Sequence, residues 1–230
     1  MSVATERRGE LAESRSHVPG EIEARYLLVV GVEPGDVAAI TGLRGPTVER
    51  LANHIASFGD GPYTAGRNGE VANILGMSWR VVYHLIERDE LVAKGGGDEE
   101  YQVTKRALTT MVNARLRRDG ERKARYMLFI GMDARLAAIR GRMSEEQAGV
   151  LARKLAKAGA GPDSEGPYTV EQASEVLGLK ERQVRGYCQD GRFGENLPKF
   201  GMQYMIPREA LVEFGAQDRR YGCQASRWEE

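Results

Sequence analysis

The chain repeats itself once, and the repeat limits the fold more than any single motif does. Ala24-Arg25-Tyr26-Leu27-Leu28-Val29-Val30-Gly31-Val32 returns as Ala124-Arg125-Tyr126-Met127-Leu128-Phe129-Ile130-Gly131-Met132. Ala38-Ala39-Ile40 returns as Ala137-Ala138-Ile139, and Leu51-Ala52 as Leu151-Ala152. Gly61-Pro62-Tyr63-Thr64 matches Gly166-Pro167-Tyr168-Thr169 after a short insertion, and Ile74-Leu75-Gly76-Met77 matches Val176-Leu177-Gly178-Leu179. An ordered series with small gaps does not arise by chance. Two copies are too few to stack as a solenoid, so each copy should be a small domain with its own core. Modules are expected over 21–118 and 119–215, between a disordered tail over 1–20, polar and without apolar period, and a C-terminal tail over 216–230.

The second copy has the clearer local grammar. Thr169 followed three residues later by Gln172 has the spacing of a capping box. Ala173, Val176 and Leu177 then form an apolar stripe at helical spacing. Gly178 supplies the left-handed residue that ends such a helix. A second helix is predicted from about Lys180 to Asp190, burying Val184, Tyr187 and Cys188. Lys180, Glu181, Arg182, Gln183, Arg185 and Gln189 are left outward. Helix, glycine turn and a helix with a long-polar outer face make a helix-turn-helix. Phe193 to Ile206 then predicts a hairpin turning at Lys199-Phe200-Gly201. Pro207 opens a last helix through Phe214.

The first copy carries the same frame. Glu70 to Met77 is the first helix and turn, and Ser78 caps a helix burying Val82, Leu85 and Ile86. Trp79, Arg80, Tyr83, His84, Glu87 and Arg88 face out. The hairpin has a Lys94-Gly95-Gly96-Gly97 tip and returns through Tyr101-Gln102-Val103. Upstream, residues 36–51 also have helix-turn-helix spacing. They can complete the core or form a further reading head.

Over residues 167–214 the order of Tyr168-Thr169-Val170-Glu171-Gln172-Ala173, Leu177-Gly178-Leu179, Arg182-Gln183-Val184-Arg185, Gly191-Arg192 and Ile206-Pro207-Arg208-Glu209-Ala210-Leu211 resembles the excisionase-like and MerR-like winged helix-turn-helix family. A degenerate copy of the same pattern covers 63–112. The resemblance implies a second helix that enters the major groove and a wing that touches backbone or minor groove. Two departures stand out. Gly186 interrupts the reading helix at a cost of roughly 1 kcal/mol against alanine, and 193–203 is longer than a minimal wing. The fold class expected is mainly α: two tandem winged helix-turn-helix modules, each with extra N-terminal helices and a short β-hairpin wing.

Charge qualifies this reading. The 33 basic and 33 acidic residues of the 230 cancel, so indiscriminate nucleic-acid binding gains no support. Specific binding depends instead on the local surface that meets phosphates. Between Thr104 and Tyr126 eight basic residues face only Asp119 and Glu121. That stretch is either a phosphate-facing surface, with Lys105 and Arg115 as contacts, or a solvated helix face. The second copy carries Ser144-Glu145-Glu146 where a DNA reader would be basic.

The expected interface comprises Arg80, Tyr83, His84, Arg88 and Lys94 in the first copy and Lys180, Arg182, Gln183, Arg185 and Lys199 in the second. Arginine on a major-groove helix grips guanine O6 and N7 bidentately. The residues outward on the two helices differ, so the two heads should read unlike elements of an asymmetric site. Double-stranded DNA is the expected partner, in transcription regulation first of all. Two alternatives remain: an architectural excisionase-like or plasmid-partition-like binder, or a winged-helix module that lost DNA and contacts protein or a second copy of itself. No phosphate-binding glycine loop, HExxH, GxSxG or Cys–His nucleophile arrangement is present, so no enzyme is expected. Cys188 and Cys223 are too isolated for a disulfide framework or zinc site, and three scattered histidines do not make a metal site. No cofactor, metal, small-molecule ligand or membrane contact is expected, and the location expected is cytoplasmic, nucleoid-associated when bound.

Overall fold

The computed structural model describes residues 20–96 and 99–221. The tail expected ahead of Gly20, residues 222–230 and Gly97 of the first hairpin tip lie outside them. The described chain is mainly helical. Its first half runs α1 (Glu21–Val29), α2 (Pro34–Thr41), α3 (Gly45–Ala56), β1 (Tyr63–Ala65), α4 (Glu70–Leu75), α5 (Trp79–Glu87), β2 (Lys94–Gly96), β3 (Glu99–Val103) and α6 (Lys105–Arg118). Its second half runs α7 (Gly120–Phe129), α8 (Ala134–Gly141), α9 (Glu145–Lys157), α10 (Val170–Leu177), α11 (Glu181–Gln189), β4 (Lys199–Phe200), β5 (Gln203–Tyr204) and α12 (Arg208–Tyr221).

One helix organises each half. α1 packs on α2, α3, α4 and α6, while α7 packs on α6, α8, α9 and α10. Such crowding needs small residues at the contacts. Ala24 and Ala124 are fully buried, with Leu27 and Phe129 beside them. Burying a side chain of that size contributes about 1.5–3 kcal/mol. The helices over 34–56 place Val37, Ile40, Val48 and Leu51 in this core.

The residues that recur in sequence make recurring contacts. Arg25 bonds Glu21 one turn back and donates from Nη1 to the Asn73 carbonyl at 2.8 Å. Arg125 bonds Glu121 one turn back and donates to the Glu175 carbonyl at 3.0 Å. Each arginine thus satisfies a carbonyl near the end of α4 or α10, where a helix leaves acceptors unpaired. Tyr63 donates to the Gly59 carbonyl at 2.8 Å, and Tyr168 to the Ser164 carbonyl at 2.6 Å.

The β structure differs between halves. β1, β3 and β2 form an antiparallel three-stranded sheet in that order, with Tyr63 opposite Val103. The second half keeps only the equivalent of that pair. Tyr168 and Ile206 exchange bonds of 2.8 and 2.7 Å, while β4 and β5 pair through two residues each. The strand expected from Phe193 does not form. Phe193 is buried, Asn196 is left-handed at φ 63°, and Pro198 lacks an N–H for a ladder. The turn falls at Gly201-Met202, two residues beyond its expected start. The last helix opens at Arg208, with Pro207 just before it, and passes Phe214 to reach Tyr221, into the stretch expected as a tail.

The halves are joined without a spacer. Asp119 is at once the C-cap of α6 and the N-cap of α7. A Cβ on Gly120 would meet the Gly141 carbonyl oxygen at 2.3 Å, so α7 starts hard against the end of α8. α8 also packs on α2 and α6. Glu23 of α1 pairs with the buried Arg140 and with Lys123, and Arg135 grips Asp36 at 3.0 and 2.5 Å. The apolar core continues through both halves.

Candidate nucleic-acid interface

The second half presents its outer helix cleanly. Thr169 Oγ1 accepts from the Gln172 N–H at 3.2 Å, and Gln172 Oε1 accepts from the Thr169 N–H at 2.9 Å. This reciprocal pair closes the N-terminus of α10. Gly178, at φ 59°, ends the helix, and the Leu179 N–H returns to the Ser174 carbonyl at 3.1 Å. The chain therefore turns sharply into α11. Val184 and Cys188 point inward at i, i+4, which leaves Glu181, Arg182, Arg185 and Gln189 in solvent. Neither Arg182 nor Arg185 has a hydrogen-bond or ion-pair partner among the described residues. Their donors are left to solvent. Gly186 lies between them and Gln189, and a Cβ there would enter open space. Burial pushes the Cys188 thiol up to about 11, so it belongs to the interior of the module.

Other expected residues of this half hold different positions. Lys180 is exposed at the N-cap of α11. Gln183 is turned back so that its Oε1 accepts from the Lys180 N–H at 3.2 Å. Its acceptor is thereby engaged in capping. Lys199 stands on the hairpin with Nζ 4.6 Å from the Tyr204 ring centre.

In the first half Thr64 replaces Thr169 across an inserted loop. Its Oγ1 accepts from the Glu70 N–H at 3.2 Å, and Glu70 Oε2 accepts from the Thr64 N–H at 2.9 Å. Gly76, at φ 66°, ends α4, with the Arg25 side chain packed beneath it. Val82 and Leu85 of α5 are buried, as the spacing predicts, and Ile86 is partly so. The outer face is aromatic. Trp79 stands edge-on to Tyr83 at 6.3 Å, and Tyr83 edge-on to Tyr101 at 5.3 Å. The Arg80 guanidinium lies 5.7 Å from the Trp79 ring centre. His84 shares a bond of 2.9 Å with Glu87. Arg88 at the end of α5 and Lys94 on β2 are exposed.

The basic stretch between the halves is divided: Lys105, Arg106, Arg117 and Arg118 are exposed, while Arg115, Arg122, Lys123 and Arg125 are half-buried. Arg115 is partly buried and donates to Glu90 at 2.9 Å and to the Tyr26 hydroxyl at 3.4 Å. Its guanidinium holds the Glu90 carboxyl below the usual range. This differs from the phosphate-facing position expected of Arg115. Arg125 is engaged with Glu121 and Glu175, and Lys123 with Glu23. Lys105 is exposed but pairs with Asp60 at 2.5 Å. Apart from Glu121, these partners come from distant parts of the chain, so a local count of charge could not find them.

Sequence reasoning passed over two residues. Phe200 and Met202, on the turn of the second hairpin, are 81% and 99% exposed. The signal was present as two large apolar side chains flanking a glycine in a predicted turn.

Among the described residues no group of His, Cys, Asp and Glu could hold a metal ion. No helix there is long and apolar enough to cross a membrane. Two short helices locked by a left-handed glycine, the second with its polar side open, define a helix-turn-helix, the class of element that binds DNA. Residues 167–218 match the family model described as a helix-turn-helix domain. No curated protein and no solved structure matches the chain.

Proposed function

We propose that this protein binds double-stranded DNA sequence-specifically, acting as a transcription regulator through two tandem winged helix-turn-helix modules over 21–118 and 119–215. The observation that carries the reading is the open face of α11. Arg182 and Arg185 are exposed on the outer helix of a helix-turn-helix and make no bond or ion pair within the described chain. An arginine so placed is available for a bidentate contact to guanine, worth about 1–3 kcal/mol of discrimination. Lys180 and Lys199 flank this face and would meet phosphates. Arg80, Arg88, Lys94 and Lys105 would supply the contacts of the first module. The shared contacts of Arg25 with Arg125 and of Thr64 with Thr169 support a duplicated frame.

Selection of bound duplexes from a random pool, repeated with Arg182→Ala and Arg185→Ala, tests the reading. The intact chain should enrich one asymmetric site. Each variant should relax the sequence at one position of it. Enrichment of nothing by the intact chain would overturn the proposal. Loss of affinity equal on all sequences would remove base reading from α11.

A second reading is confined to the first half. Its α5 shows an aromatic row rather than free cations, a composition suited to the centre of a protein interface. In that case the second module alone reads DNA and the first recruits a protein.

A further inference from the structure

We propose that the tip of the second hairpin, Phe200-Gly201-Met202, is a wedge that enters between adjacent base pairs and kinks the bound duplex. The inference rests on the reading of α11 as a DNA-reading helix and adds a change in DNA shape to it.

Three observations carry it. First, Phe200 and Met202 are the most exposed of the large apolar side chains among the described residues. They sit on either side of Gly201, at the turn of the hairpin. Apolar surface in water is unfavourable, so such a pair at a tip calls for an occupant. Second, the base of the hairpin is fixed to the reading unit. The Met205 N–H bonds the Pro198 carbonyl at 2.8 Å, and Ile206 and Tyr168 exchange two bonds. Tyr168 directly precedes Thr169, the cap of α10, so the tip keeps a set position relative to α11. Third, the surroundings suit a polyanion. Lys199 adjoins the tip, and Arg192 is exposed over the Tyr187 ring at 4.6 Å.

Size decides between occupants. A stable protein interface buries roughly 1,200 Å² or more in total, and two side chains on a two-residue turn cannot supply it. One or two apolar side chains are the usual means by which a protein unstacks a single base step. With α11 in the major groove, an element fixed to its flank meets the adjoining backbone and minor groove. There Phe200 and Met202 would enter the stack while Lys199 meets phosphate.

The test uses the full chain and the duplex recovered by selection, with 2-aminopurine placed at each position in turn and the site permuted along a longer fragment. The intact protein should bend the fragment and raise fluorescence at one step outside the sequence read by α11. Phe200→Ser with Met202→Ser should abolish both signals and weaken binding several-fold. Both positions are exposed, so the fold should survive, which circular dichroism would check. A mismatch at the kinked step should restore the variant's affinity. If the intact protein binds the duplex without bending or unstacking it, the wedge is refuted and the reading of α11 stands. The wedge is equally refuted if the double variant bends DNA as well as the parent but loses self-association in sedimentation, which would make the tip a contact between copies. If the intact protein binds no duplex, both inferences fall.

Discussion

The outer helices α5 and α11 occupy corresponding places in the two halves and present opposite surfaces. Both follow a left-handed glycine, both come after a helix whose first turn hydrogen-bonds a threonine, and both bury residues at helical spacing. On α11 the exposed arginines are unengaged. On α5, Arg80 lies over Trp79, Tyr83 stands against Tyr101, and His84 is tied to Glu87. The interior is held constant by packing, because close-packed cores resist changes of volume. The exterior answers only to what it touches, so it is free to diverge between the halves.

The largest expected effect separates the two helices directly. Arg185→Ala should weaken binding to the selected duplex by roughly five- to a hundred-and-fifty-fold, the range of about 1–3 kcal/mol for a bidentate base contact. Arg80→Ala should cost only a few-fold, since its guanidinium already has a ring to lie on. Titration by fluorescence anisotropy at fixed salt measures both. Equal losses would erase the distinction and make α5 a reader of the same kind.

Next in size is a comparison of the two caps. Thr169→Ala removes half of a reciprocal pair and should lower stability by about 1 kcal/mol. Thr64→Ala should cost a similar amount despite the inserted loop, because Thr64 Oγ1 takes the Glu70 N–H in the first turn of α4 while Glu70 Oε2 takes the Thr64 N–H. Denaturant midpoints check this, and a silent Thr64→Ala would show that the first half caps α4 by other means.

Gly186→Ala should act in two directions. It should raise stability by up to about 1 kcal/mol, since the position is helical and its Cβ would meet nothing. The added methyl group stands on the outer side of α11, so affinity for the selected duplex should fall a few-fold. A rise in both quantities would show that the backbone at Gly186 does not approach DNA.

The smallest effect belongs to the first half. Glu90 has its carboxyl lowered by the Arg115 hydrogen bond. The stability it adds is therefore present above its unfolded value near 4.3 and is lost as pH falls through the lower folded value. Glu90→Gln should be less stable than the parent at pH 7 by up to about 1 kcal/mol, given partial exposure. The difference should close in acid, once the carboxyl is protonated in the folded chain as well as in the unfolded one. A gap that persists in acid would assign the effect to packing.

What was legible in the sequence was local. The limits of α10 and α11, the Thr169–Gln172 pair and the role of Gly178 each depend on residues within a few positions of one another. The basic stretch was not legible, because Arg115 and Lys123 take partners some twenty-five to a hundred positions away. Of the second hairpin, the return strand β5 lies within the expected Gln203–Ile206, whereas the strand expected from Phe193 shrinks to the two residues of β4, too short to show alternation. The exposure of Phe200 and Met202 escaped because the turn was read for its glycine alone, and not for the two apolar side chains that flank it. The candidate DNA-reading residues divided along this line: Arg182 and Arg185 were placed by helical spacing, whereas Arg115 was placed by charge alone.

The shared cap at Asp119, with the clamp of Arg140 and Arg135 on the first half, leaves the two halves no slack. On a duplex, each added base pair carries the next element around the axis as well as along it, through a full revolution in about 10.5 base pairs. A pair of heads on a string would average over that rotation. A pair fixed in one orientation cannot, and so would register the phase of its two elements as sharply as their sequence.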